Sequence, residues 1–253
     1  MTLWALEIEY DGRPFMGWQR QKHGLAIQQV VEEAAARVRG GAEVTEAVSA
    51  GRTDAGVHAL AMIVQIELPD LTPFRIREAM NFHLKPRPIV VLRCCPAPEG
   101  WNARFSAVCR SYRYVISNRA VPPALEAGRV WHVRQKLDAA LMHDAAQHLL
   151  GHHDFSSFRA SACQAKSPMR TLDFLAVTRE GDKIYVDTRA RSFLHHQVRN
   201  MVGTLVKVGD GSWPEAKLAE VLGAKSRAAA AVTAPAEGLY FTGVVYGAPL
   251  KLE

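Results

Sequence analysis

No apolar run in this chain approaches the ~20 residues that a helical membrane span needs, so a membrane partner is not expected. Cysteine is scarce: the four residues are Cys94, Cys95, Cys109 and Cys163, with no C-x-x-C pair. That spacing argues against a zinc framework. Thiols without a pairing pattern, expected free and mostly buried, point to a reducing, cytoplasmic setting. Acids are in deficit, 25 against 31 Lys plus Arg, which leaves a formal charge of +6. Such an excess leans toward a polyanionic partner, although net charge speaks to association and not to fold. Also missing are a phosphate-cradling Gly-rich loop and any cluster of metal-ligating side chains at ligand spacing, so neither a cofactor nor a metal is expected. With 48% hydrophobic and 22% charged residues among 253, the composition is that of a globular chain with a large core.

Hydrophobic periodicity lays out what is there. Leu3–Tyr10 reads as a half-buried strand and, with Glu7 and Glu9 inside it, not as a signal peptide. Arg13–Gly24 is a polar loop. Ile27, Val30, Val31, Ala34 and Val38 then mark a helix, and Val44–Ser49 and Leu60–Leu68 read as strands. Thr72-Pro73 opens a second helix with a cap residue and an early proline, ahead of a strand at Ile89–Cys94. The segment Pro96-Ala97-Pro98-Glu99-Gly100 has the composition of a domain boundary, dividing 1–98 from 99–253. Beyond it the pattern gives a strand at Arg110–Ser117 and a helix capped by Asp138. Strands at Leu172–Arg179 and Lys183–Arg189 follow, then a helix at Phe193–Val206, a short helix after Pro214 and a strand at Leu239–Tyr246. Each half follows β-α-β-β-α-β, the split-βαβ plan. The expected fold class is therefore α+β: two ferredoxin-like halves whose antiparallel sheets form one extended sheet with helices on one face. An open sheet carrying basic and aromatic groups is a common RNA platform.

The densest set of reactive groups is Ser49-Ala50-Gly51-Arg52-Thr53-Asp54-Ala55-Gly56-Val57-His58. Gly51 and Gly56 mark a tight bend between two strands, holding Asp54 among Arg52, Thr53 and His58. An ordinary hairpin connection would use the same residue types. In Arg110–Ser117, Arg110, Tyr112 and Tyr114 share one face, a cation and two rings suited to stacking an unpaired base, unless the tyrosines are simply core. On the helix Phe193–Val206, His196, Arg199, Asn200 and Gly203 share a face that helical geometry alone assigns to solvent; an Arg199 near the core would want a carboxylate. Lys166–Arg170 and Arg13–Lys22 concentrate cations without nearby acids, as phosphate contacts require. The pairs His152-His153 and His195-His196 lack a completing carboxylate and are not expected to hold a metal.

Taken together, these segments resemble the tRNA pseudouridine synthase family that modifies uridines 38–40 of the anticodon arm. The matching stretches are Tyr10-Asp11-Gly12, Gly17-Trp18-Gln19-Arg20-Gln21, the Asp54 motif, and Asn102-Ala103-Arg104-Phe105-Ser106-Ala107 with Arg110-Ser111-Tyr112-Arg113-Tyr114. His153-Asp154-Phe155, Arg170-Thr171, Phe193-Leu194 with Val198 to Gly203, and Ala236 to Tyr240 complete them. The resemblance implies a catalytic Asp54, Tyr112 in the substrate pocket, Arg199 pairing with the aspartate, and Arg52 assisting base flipping. It further implies substrate contacts at Leu239, Arg104, Phe105, His58, Arg110, Lys166 and Arg170, no cofactor, a tRNA partner and a homodimer. Met62, Trp101-Asn102, Gln197 and Phe241 depart from the usual family residues without touching Asp54, Tyr112 or Arg199. Two rival readings are a non-catalytic RNA-binding module, which leaves the Asp54 motif unused, and an aspartic hydrolase. The latter needs Ser or Thr after the Asp and a second equivalent carboxylate, and neither is present in matching context.

Overall fold

The computed structural model describes residues 1–41 and 46–253. They divide into one unit formed by Met1–Arg110 with Tyr240–Glu253 and another formed by Ser111–Leu239. The first contains β1 (Thr2–Tyr10), α1 (Ile27–Val38), β2 (Val48–Ser49), β3 (His58–Leu68), α2 (Pro73–Leu84) and β4 (Ile89–Pro96). β5 (Ala107–Ser117) carries the chain into the second unit. There follow β6 (Trp131–His132), α3 (Ala139–Gln147), β7 (Gly151–Asp154), β8 (Met169–Glu180), β9 (Lys183–Ala190), α4 (Gln197–Gly209) and α5 (Lys217–Ala224). β10 (Leu239–Tyr246) returns the chain to the first unit. The architecture is α+β, with the strands paired mainly antiparallel.

In the first unit, β1 lies between β3 and β4 and pairs antiparallel with both. β10 adds beside β3 through Tyr240 and Phe241, in parallel. A parallel neighbour needs a long crossover, and here the whole second unit supplies it. The reading of β1 as half-buried is corrected: Trp4 to Ile8 are all buried. The reason is its central place, with small Ala5 and ion-paired Glu7 on alternate positions. Arg93 closes over Glu7, donating from Nε at 3.1 Å and Nη2 at 2.8 Å. Met62 pairs with Ile8 and is fully buried, so this departure from the family pattern is a core residue. Burial of each such side chain is worth about 1.5–3 kcal/mol. α1 and α2 pack on each other, and respectively on β3 and β4. α2 starts where expected, Thr72 Oγ1 accepting the Arg75 N–H at 3.4 Å with Pro73 in the first turn. Of the strand expected over Val44–Ser49, Val48–Ser49 forms β2, whereas Val44 and Thr45 lie outside the described residues.

The loop Arg13–Gly24, read as polar, buries Phe15 and Trp18 beneath itself. Its cations are also less open than expected. Arg13 holds Asp11, with Nε 3.0 Å from each carboxylate oxygen, and Arg20 holds Glu32 at 3.0 Å. Asp11 stands two residues before Arg13, just outside the segment read as cationic, whereas Glu32 comes from α1 and only the fold brings it to Arg20.

In the second unit, β8 and β9 form a hairpin closed by Gly181-Asp182, with Glu180 opposite Lys183 and Gly181 at φ +56°. β7 adds antiparallel to β8, and β6 runs parallel to β5. Neither short strand was expected; β7 reads Gly-His-His-Asp and has no apolar residue to alternate. His152 and His153 therefore sit on a strand, His152 Nδ1 at 2.9 Å from Thr171 Oγ1 and His153 Nε2 at 2.6 Å from the Leu150 carbonyl. Asp138 caps α3 by accepting from Ala140 and Leu141. α4 begins at Gln197, four residues later than expected, because His196 adopts φ +63° and breaks the helical path.

The four thiols are free, Cys94 and Cys95 buried and Cys109 and Cys163 partly exposed. Burial, reinforced by neighbouring Cys95, pushes the Cys94 thiol up to about 11. For Cys163 burial also acts upward, but hydrogen bonds from the Ala165 and His195 backbone and from Arg159 outweigh it, and its pKa is lowered. The thiolate is the reactive form. Iodoacetamide at about pH 8 is therefore expected to label Cys163 well before Cys94 in the folded protein; mass spectrometry giving the reverse order would contradict this burial pattern.

Candidate active site

The segment between β2 and β3 is fixed from several sides at once. The Val57 N–H donates to the Asp54 carbonyl at 3.1 Å, and Gly56 takes φ +78°, the sign a type II turn requires at its third position. Of the two glycines expected to bend the chain, Gly56 occupies the left-handed region and Gly51 does not. Upstream, the Ala50 N–H donates to Ile63 at 2.8 Å, and Ser49 Oγ donates to the Gly51 carbonyl at 2.7 Å. Thr53 is buried, its Oγ1 2.8 Å from the Tyr10 hydroxyl and its carbonyl accepting the Trp18 N–H at 3.0 Å. Asp54 is left half-buried at the head of this turn.

The loop after β1 lies against the turn so closely that side chains are excluded. A Cβ at Gly12 would stand 2.0 Å from the Val57 carbonyl oxygen, and one at Gly17 would stand 2.7 Å from that of Thr53. Gly17 also holds φ +90°. The Tyr10-Asp11-Gly12 and Gly17-Trp18 stretches noticed in the sequence are thus one wall of the Asp54 turn.

His58 is buried at the base of the turn. Its Nδ1 accepts the Gly12 N–H at 3.1 Å and lies 3.3 Å from an Asp11 carboxylate oxygen. An Nδ1 that accepts an amide proton has no proton to give Asp11, so the amide bond, the shorter of the two, defines its role. The ring stacks on Tyr240 with centroids 4.8 Å apart and planes 21° from parallel. His58 thereby joins β3, β10 and the loop after β1, a buried fixture of the frame.

Arg52 and Arg104 line one cleft with Trp18, Gln28, Glu46 and Ser49. Burial, then the charge of Arg104, lowers the pKa of Arg52, and Glu46 acts the other way. Arg104 and Phe105 stand on a turn in which Asn102 Oδ1 accepts both their N–H groups at 3.0 Å. Phe105 is 78% exposed, an aromatic face offered to solvent. Arg110 donates from Nε to the Ala50 carbonyl at 2.9 Å, from Nη1 to Ala107 at 3.3 Å, and from Nη2 to Arg104.

In the second unit, Tyr112 is half-buried and meets Phe193 edge to face at 5.2 Å. Tyr114, on the same strand face by sequence, is core: fully buried, its hydroxyl donates to the Pro235 carbonyl at 2.8 Å, and burial raises its pKa well above the ordinary phenol value. The α4 face holding Arg199, Asn200 and Gly203 is not given to solvent, as helical geometry alone had assigned it. Asn200 is fully buried, donating to Phe158 at 2.8 Å and accepting from Thr233 at 2.7 Å. A Cβ at Gly203 would lie 1.9 Å from the Val232 carbonyl oxygen, and Arg199 Nε donates to the Ala234 carbonyl at 2.8 Å. The segment 232–234 that receives this face had no sequence signal beyond an asparagine and a glycine inside an apolar helix. Leu239 is buried at the start of β10, Lys166 is exposed, and Arg170 Nη1 donates to the Ser167 and Met169 carbonyls at 3.0 and 2.6 Å.

Among the sequence-selected residues, the first unit brings together Arg52, Asp54, His58, Arg104, Phe105 and Arg110. The missed member of that frame is Glu46, which lines the cleft of Arg52 and Arg104. What it offers chemically is a carboxylate on a closely packed turn beside a cationic cleft.

Residues 7–106 and 145–247 match the family model described as tRNA pseudouridine synthase. A tRNA pseudouridine synthase A from Acidiphilium cryptum is 56% identical over 248 residues, 97% of this chain and 97% of that protein. One from Rhodospirillum centenum is 56% identical over 247 residues, covering 97% and 100%. The Gluconobacter oxydans protein of the same name is 53% identical over 249 residues, covering 97% and 90%. With similarity running along nearly its whole length, this chain belongs to the tRNA pseudouridine synthase family.

Proposed function

We propose that this protein converts uridines 38, 39 and 40 of the tRNA anticodon arm to pseudouridine, with Asp54 as the essential carboxylate and the target base flipped out of its stack. Family membership makes it a tRNA-modifying isomerase. The positions, the residue roles, a homodimeric state and a cytoplasmic location are part of the proposal. The observation that supports it best is the grip on the Asp54 turn, since a reacting carboxylate must be held within a fraction of an ångström of its target.

Isomerisation breaks the N1–C1′ bond, turns the uracil, and joins C5 to C1′. The C5 hydrogen leaves as a proton and N1 ends protonated, so no electrons or groups are exchanged with a donor. A carboxylate serves this either as a nucleophile or by taking the 2′ proton to open a glycal route. Tyr112 is proposed to stack on the uracil, because a phenol's ordinary pKa near 10 suits it poorly to general-base work. For Arg199 the resemblance alone carries the assignment, a cation serving the essential carboxylate. Extrusion of the base costs a few kcal/mol, less near a helix–loop junction.

Release of tritium from C5-labelled uridine in tRNA reads the reaction directly. Asp54→Asn is expected to lose turnover by about 10³-fold or more while retaining tRNA binding. Release persisting in this variant would remove Asp54 from the chemistry. Tyr112→Phe is expected to keep most activity; an inactive variant would assign work to the hydroxyl. Gly12→Ala forces a methyl onto the Val57 carbonyl and is expected to destabilise by about 1–3 kcal/mol, read as a fall in Tm of a few degrees. An unchanged Tm and unchanged turnover would show that the frame is softer than its contacts imply.

A further inference from the structure

We infer that Arg52 and Arg104 act together as one clamp for an RNA phosphodiester beside the Asp54 turn, with Arg110 as the residue that sets their spacing. This rests on the reading of tRNA as the substrate, and adds a site and a ligand group to it.

The two guanidinium-bearing residues line one cleft, faced there by a single carboxylate, Glu46, among the described lining residues. Glu46 is itself engaged by the Gln28 amide at 3.3 Å. Elsewhere in the same unit, Arg13, Arg20 and Arg93 each hold a carboxylate of their own, from Asp11, Glu32 and Glu7. Arg52 and Arg104 instead line a common cleft, near enough for the charge of one to act on the other. Burial and the charge of Arg104 both lower the pKa of Arg52, so an anion lying between the two cations would favour their charged forms. Guanidinium groups bind phosphate oxygens in a bidentate fashion, which suits a tetrahedral anion with two free oxygens.

The spacing of the clamp is built, not incidental. Arg52 follows the Gly51 carbonyl held by Ser49, and Arg104 stands on the Asn102 turn. Arg110 then joins the two loops by donating to the carbonyls of Ala50 and Arg104. Its donors go to backbone oxygens, which makes it a positioning residue. A diester in a chain, and not a free phosphate, fits the surroundings: the cleft is open, and the exposed Phe105 ring beside Arg104 offers a stacking face for an adjoining base.

The test is a double-mutant cycle on binding of a fluorescent anticodon stem-loop RNA, titrated between about 50 and 200 mM salt, with tritium release measured in parallel. Arg52→Gln and Arg104→Gln are each expected to weaken binding about tenfold, and the double variant scarcely more than either. The salt slope of the double variant should fall by about 0.9, the value for one phosphate contact. Lys at either position should restore most of the slope. Arg110→Lys, which keeps the charge, should lower the slope as Arg104→Gln does without a matching fall in Tm; a purely structural role would move Tm and leave the slope. Additive losses, or an unchanged slope, would overturn the clamp while wild-type tritium release leaves the functional reading intact. Displacement of the RNA by millimolar inorganic phosphate as effectively as by a second RNA would overturn the diester assignment. A wild-type protein that neither binds this RNA nor releases tritium would overturn both.

Discussion

Two stretches of main chain in the first unit lie closer together than any side chain would allow, and the candidate site depends on that approach. The loop after β1 presses Gly12 and Gly17 onto the carbonyls of Val57 and Thr53. Contact of this kind leaves the Asp54 turn no room to shift, because interiors at native density resist displacement. Tyr10 and His58 extend the same restraint into the sheet, one through the Thr53 hydroxyl and the other through the Gly12 amide. A carboxylate could be placed on many loops; one placed on backbone packed against backbone is held by atoms that have no alternative rotamers.

Much of this was legible in the sequence, and the pattern of what was not is physical. Long elements with strong periodicity, such as α1 and α2, appear with the ends their apolar residues and caps indicate. Asp54 and its neighbours were legible because turn chemistry is local. Pairings between distant segments were not. The acid that neutralises Arg20, the carbonyls that occupy Arg110, and the segment 232–234 that buries Asn200 all depend on the folded path. β6 and β7 are two and four residues long, too short for alternation to register. Tyr112 and Tyr114 show the limit most plainly. They share a face by sequence, yet one meets Phe193 at the edge of exposure and the other is sealed in the core against Pro235 and Gly238.

Charge in the first unit is sorted by role. Where a guanidinium serves the fold, it has a carboxylate or a set of carbonyls to satisfy it, as with Arg93 on Glu7 and Arg110 on three main-chain oxygens. Where cations gather with few acids, at Arg52 and Arg104, the surroundings are an open cleft next to the Asp54 turn. The formal excess of six positive charges over the chain says little by itself; its uneven placement carries the information. Phosphate contacts of this sort fix the register of a nucleic acid and leave discrimination to its shape.

The first unit is discontinuous along the chain, closed only by residues 240–253. Those residues seal its sheet twice: β10 covers the edge of β3, and the Glu253 amide and carbonyl exchange hydrogen bonds with Cys94 on β4 at 3.2 and 3.0 Å. During synthesis the strands of the first unit emerge early, yet β3 keeps only the short β2 pairing on its outer side, and β4 lacks its bonds to Glu253, until the second unit has been made. Open edges invite pairing with other chains. The order of emergence thus makes the second unit a passenger that must be made before residues 240–253 can complete the half carrying Asp54.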